Sequence, residues 1–179
     1  LKIILSTIDK EKVPKIYQKF YNKNLYKKNQ EGLKKVKFNN KIIHRSKLLR
    51  YFIDEEYNNN NLNKDLETVY KKIKKDKKYF FSIKDIILLE SLKSDGQKIP
   101  KKLEKLYSIK SLTIPTNLIA LTVENQVALI LLKIVEIVGE DKLENLDPDT
   151  LYFVTATLNK LGLKKIRNNI IINTLPERI

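Results

Sequence analysis

Apolar residues return at helical intervals along nearly the whole chain. Val13, Ile16, Tyr17, Phe20 and Tyr21 fall at the i, i+3, i+4, i+7, i+8 spacing of one helix face. Leu33, Val36 and Phe38 are too sparse to set a period, so residues 22–45 read as loop with room for a short helix. Ser46 is placed to cap a helix carrying Leu48, Leu49, Phe52 and Ile53, which Asp54, Glu55 and Glu56 end. The asparagine tract 58–61 reads as a loop. Asn63 then caps a helix with Leu66, Val69, Tyr70 and Ile73 on one face.

The second half carries clearer punctuation. Ser82 with Asp85 predicts a capping box ahead of Ile83, Ile86, Ile87, Leu89 and Leu92. Pro100 suits a first helical turn before Leu103, Leu106 and Tyr107, and Pro115 with Thr116 opens a helix through Leu118, Ile119 and Leu121. Residues 127–138 are apolar around most of the helical circumference, which predicts a central buried helix. Asp147, Pro148 and Asp149 supply an N-cap, a first-position proline and a first-turn acid for a helix burying Leu151, Val154, Thr155, Leu158 and Leu161. Ile166, Ile170, Ile171 and Leu175 mark a last helix ended by Pro176. Gly96, Gly139 and Gly162 each follow a helical pattern directly, where a positive φ closes the helix. Period-2 alternation is not sustained anywhere, so strands are not expected.

The expected fold is all-α, with seven to nine helices stacked as antiparallel hairpins. The stretch "DPDTLYFVTATLNKLGLKKIRNNIIINTLP" over residues 147–176 resembles one unit of a tetratricopeptide-like α-solenoid, without that family's Trp, small Ala positions and Gly-Tyr spacing. With the preceding "LLKIVEIVGEDKLENLDPDTL" it also resembles the carboxy-terminal region of uncharacterised, exported α-proteobacterial helical proteins. Both resemblances imply an α-α architecture and no activity. The three helix-ending glycines stand 43 and 23 residues apart, so an irregular bundle remains the alternative to a superhelix.

Composition tempers the charge. The formal net charge is +15, yet Lys outnumbers Arg 32 to 4, and Phe, Tyr, Ile, Asn and Lys supply 87 of the 179 residues. These are the residues of A/T-rich codons, which makes Lys the default cation of an A/T-rich genome and weakens the excess as evidence for a polyanion partner. Residues 1–80 carry net +13 and residues 111–179 net −1. This divides the chain into a basic helical part (1–110) and a near-neutral helical-hairpin part (111–179), expected to form one continuous domain. With no Met anywhere, the native start is expected upstream of Leu1, and the chain reads as a fragment of a longer one. No apolar stretch reaches membrane-spanning length, and a cytoplasmic and an exported location stay equally open.

Candidate chemistry is sparse. Without Cys, no disulfide, thiolate metal site or Cys nucleophile can form. His44 is the single histidine and has Arg45 beside it, so it is not expected to be a catalytic base. Glu140, Asp141, Glu144, Asp147 and Asp149 lack the alternating spacing of a calcium loop. Glu90, Glu124 and Glu136 are the acids with enough apolar flanking to be buried. The glycines are too dispersed for a phosphate loop. No catalytic residue, cofactor or metal ligand is therefore expected. The strongest candidate surface is Lys71, Lys72, Lys74, Lys75, Lys77 and Lys78 running into Tyr79, Phe80 and Phe81: cations for phosphates beside rings for bases. The leading expectation is a helical-repeat scaffold that binds protein partners without catalysis. The second is a nucleic-acid-associated component of a ribonucleoprotein, acting through the basic half.

Overall fold

The computed structural model describes residues 13–24, 36–54, 56–107, 114–139 and 141–178. Among them are nine α-helices: α1 (Lys15–Asn24), α2 (Arg50–Ile53), α3 (Asn59–Lys75), α4 (Ile83–Ser94), α5 (Lys101–Glu104), α6 (Thr116–Val123), α7 (Val127–Val138), α8 (Pro148–Lys160) and α9 (Lys164–Thr174). Short 3-10 turns occupy Ile43–Arg45, Lys47–Leu49 and Leu143–Asn145. The fold is all-α. A two-residue antiparallel pairing of β1 (Val36–Lys37) with β2 (Glu177–Arg178) is the one extended element among the described residues.

Local hydrogen bonds explain where the helices begin and end. Ser82 Oγ accepts from the Asp85 amide while the Asp85 carboxylate accepts from the Ser82 amide, a reciprocal capping box at the start of α4. Asp147 accepts from the Thr150 amide at the start of α8, with Pro148 in the first turn. The asparagine tract departs from expectation. Asn58 is the N-cap of α3, its side chain accepting from the Asn61 amide, so residues 59–61 are a first helical turn and Asn63 lies inside the helix. Asparagine caps as well as serine or aspartate does, and its neighbours in that turn all face solvent.

Three helix ends share one device, and the end at Gly139 instead closes with its amide on the Val135 carbonyl. At Gly96 and Gly162 the two amides after the helix turn back in the paired 5→2 and 6→1 pattern of a Schellman motif, with φ of 80° and 66°. Asn125 closes α6 with the same bonds at φ 54°, filling the role of a glycine. Nothing lies within 4 Å of a Cβ built on Gly162, so strain alone opposes a side chain there. Gly162→Ala is expected to lower the unfolding free energy by about 1 kcal/mol, and Gly162→Asn by less, as read from urea denaturation midpoints.

The centre of the molecule is not where apolar content placed it. In α7 only Ile130 and Ile134 are buried. The helix surrounded by protein is α4, in which Asp85, Ile86, Ile87, Leu88, Leu89, Ser91 and Leu92 are all buried. It packs against α8, which in turn contacts α6 and α9, and α9 reaches α2. One apolar core extends from Ile43 to Leu175 through both the basic and the near-neutral part of the chain.

A buried ion pair ties these helices together. Arg167 on α9 is 1% exposed and grips Asp95, 2% exposed, through two parallel bonds, NH1 to Oδ1 at 3.1 Å and NH2 to Oδ2 at 2.5 Å. The same guanidinium donates to Asn159 Oδ1 at 2.9 Å, to Asn168 Oδ1 from Nε at 3.0 Å, and to the Ser91 carbonyl at 3.4 Å. It lies 5.6 Å from the centre of the Phe52 ring. Lys164 adds a second cation to Asp95, at 3.1 Å. Four helices or their ends thus meet at one planar cation, a task that needs the fork of arginine rather than the point charge of lysine.

Candidate functional site

The lysine cluster lies where α3 ends. Lys71, Lys72, Lys74 and Lys75 occupy the outer side of the helix, opposite the buried Leu66, Val69 and Ile73, and Lys77 and Lys78 continue into the connection to α4. All six are exposed, and none forms an ion pair with another described residue. The three aromatics that follow are treated differently. Tyr79 is half-buried, its hydroxyl accepting from the Ile43 amide at 3.1 Å and donating to Asp85 Oδ2 at 2.9 Å. Phe81 is also half-buried, edge-on to Tyr79 at 5.3 Å and stacked on Tyr107 at 5.7 Å. Phe80 alone is turned outward, 84% exposed. Of the rings beside the lysines, only Phe80 is free for a ligand.

Beneath that loop is a polar cluster that sequence neighbours did not suggest. Asp85 is 1% exposed and receives four donors. Its Oδ1 faces His44 Nδ1 at 2.6 Å and the His44 amide at 2.9 Å; its Oδ2 accepts from Tyr79 and from the Ser82 amide, both at 2.9 Å. Burial pushes the Asp85 carboxyl up, but the bonds from the His44 ring and from backbone amides outweigh it and hold the group below the ordinary carboxylate value. Burial also raises the Tyr79 hydroxyl well above the usual phenol range, so it stays a donor. An ionised Asp85 accepts only, which fixes the proton of His44 on Nδ1. Ser82 Oγ approaches that same nitrogen, at 3.3 Å. A hydrolytic triad needs its serine on the opposite ring nitrogen, so Ser82, His44 and Asp85 do not form that relay. They form a clamp joining the Ile43–Arg45 turn, the 76–82 loop and the start of α4.

The other surface of note is the α6–α7 hairpin. Leu118, Ile130 and Ile134 anchor it, while Ile119, Val123, Leu129, Leu132 and Ile137 face solvent, Val123 at 82% and Leu132 at 62% exposure. Its few charges are Glu124, Lys133 and Glu136, and the last two pair with each other at 2.7 Å. Glu124 and Glu136 are exposed, and Glu90 is half-buried, accepting from the Tyr107 hydroxyl at 2.8 Å. Glu124 accepts from Gln126 Nε2 at 2.6 Å, so each of the three acids has a partner of its own.

Among the described residues no cluster of three or more His, Cys, Asp or Glu is arranged to hold a metal ion, and no helix is long and apolar enough to cross a membrane. Glu140 lies outside the described residues. No protein-family model matches the chain, and neither curated proteins nor solved structures provide a similar one.

Proposed function

We propose that the protein is a helical interaction module that docks a separate protein on the solvent side of the α6–α7 hairpin. The observation that carries this reading is the exposure of Ile119, Val123, Leu129, Leu132 and Ile137 on a nearly uncharged hairpin, in a chain whose residues are 32% charged. Apolar area left in water at this density is the usual mark of a surface covered in use. A net charge of +15 opposes the approach of a second copy, while the hairpin's own Glu124, Lys133 and Glu136 nearly cancel, so the occupant is selected by apolar fit, as in the apolar face of an amphipathic helix from another protein.

A photo-crosslinking residue at position 132 is expected to capture such a partner, with a probe at the exposed Lys160 as control. The captured protein, purified, should bind the unmodified chain and lose about tenfold or more in affinity to Val123→Asp and to Leu132→Asp. Both side chains already face water, so thermal unfolding should be unchanged. Equal binding to all three chains, capture at 132 no greater than at 160, or crosslinking to a second copy overturns the reading.

A further inference from the structure

The loop that follows the lysine cluster presents one exposed ring, Phe80. Its neighbours on both sides are fixed, Tyr79 by the Asp85 and Ile43 bonds and Phe81 by its stack on Tyr107, so the loop holds the Phe80 ring outward. The stretch 71–78 that leads into it carries six lysines and a single acid, Asp76, whose Oδ1 is engaged by the Lys78 amide.

We infer that this part of the protein docks on an anionic lipid surface, with Phe80 entering the headgroup boundary and the lysines of 71–78 contacting the lipid charges. Clusters of four to eight basic residues beside apolar groups are held at acidic bilayers by the surface potential together with apolar burial. One observation favours lipid over nucleic acid: Tyr79 and Phe81 are tied down and a single ring faces outward, whereas a single strand stacks its successive bases on several rings and a headgroup boundary accepts one. Peripheral docking needs no membrane-crossing helix.

The chain has no tryptophan, so Phe80→Trp places a single reporter at the proposed point of entry. At near-physiological salt its emission is expected to shift to the blue, and the protein to sediment, with vesicles of equimolar phosphatidylcholine and phosphatidylserine but not with phosphatidylcholine alone. Changing Lys74, Lys75, Lys77 and Lys78 together to Glu should abolish both signals. The four lysines and Phe80 are all exposed, so circular dichroism and thermal unfolding should match the parent chain. Equal binding to both vesicle types or an unshifted emission overturns the inference. So does a labelled oligothymidine that binds more tightly than the acidic vesicles at the same salt, which assigns the surface to nucleic acid. The α6–α7 variants should bind vesicles normally, so this result and that of the protein-docking test are independent.

Discussion

Arg167→Ala is expected to lower the unfolding free energy by about 3–5 kcal/mol, the usual effect of removing one partner from a buried ion pair. The loss has a definite source. Asp95, 2% exposed, would keep Lys164 but lose both guanidinium bonds, and the Ser91 carbonyl and Asn159 Oδ1 would lose a donor where α4, α8 and α9 converge. Arg167→Lys should recover little of this, because an ammonium cannot bridge Asp95, Asn159 and Asn168 in one plane. Arg167→Met combined with Asp95→Leu should be less destabilised than Arg167→Ala alone, since removing both charges leaves neither one buried unpaired. Urea titrations of the four chains test this, with similar slopes showing that the surface exposed on unfolding is unchanged. Equal stability of Arg167→Ala and the parent chain would contradict the assigned role.

Asp85→Asn is expected to be nearly as severe, at about 3–5 kcal/mol, and to change the pH dependence of stability as well. Four donors converge on two carboxylate oxygens, and an amide offers one oxygen and sets an N–H against the other pair. At least two buried or half-buried donors are stranded, at about 1–3 kcal/mol each. The native carboxyl lies below its unfolded value, so its contribution is complete above the unfolded carboxylate pKa of about 3.9 and fades as the pH falls through the lower native value. The parent chain should therefore lose stability on acidification below about pH 4, and Asp85→Asn should show a flatter acid limb from a lower plateau. Thermal unfolding between about pH 2 and pH 7 follows both effects. A variant whose acid limb is as steep as the parent's would show that Asp85 is not the group responsible.

These two residues also mark what the sequence could and could not convey. Caps are local, and Ser82, Asp147, Pro148, Gly96 and Gly162 are legible because their partners stand within five positions. Burial depends on distant partners. Residues 83–94 contain Lys, Asp and Glu and look less apolar than 127–138, yet α4 is the central helix because its polar groups are satisfied from far away: Asp85 by His44, 41 positions off, and the Ser91 carbonyl by Arg167, 76 positions off. Residues 127–138 carry no such obligations, and their apolar circumference faces largely outward. His44 appeared isolated for the same reason, since Arg45 is its neighbour in the chain and Asp85 and Ser82 are its neighbours in space. The six lysines were legible as a surface, but the division of labour among Tyr79, Phe80 and Phe81 was not, because it is set by Asp85, Ile43 and Tyr107.

The small β1–β2 pairing has a consequence for the order of assembly. It is reinforced by Arg45 NH1 donating to Glu177 Oε2 at 3.2 Å, across 132 positions of sequence and between two partly exposed side chains. Closing so long a loop for two short strands and a water-exposed ion pair is unfavourable until the intervening helices have already brought the ends together. This clasp should therefore form after the folding transition state, so that Glu177→Ala accelerates unfolding while leaving the refolding rate unchanged.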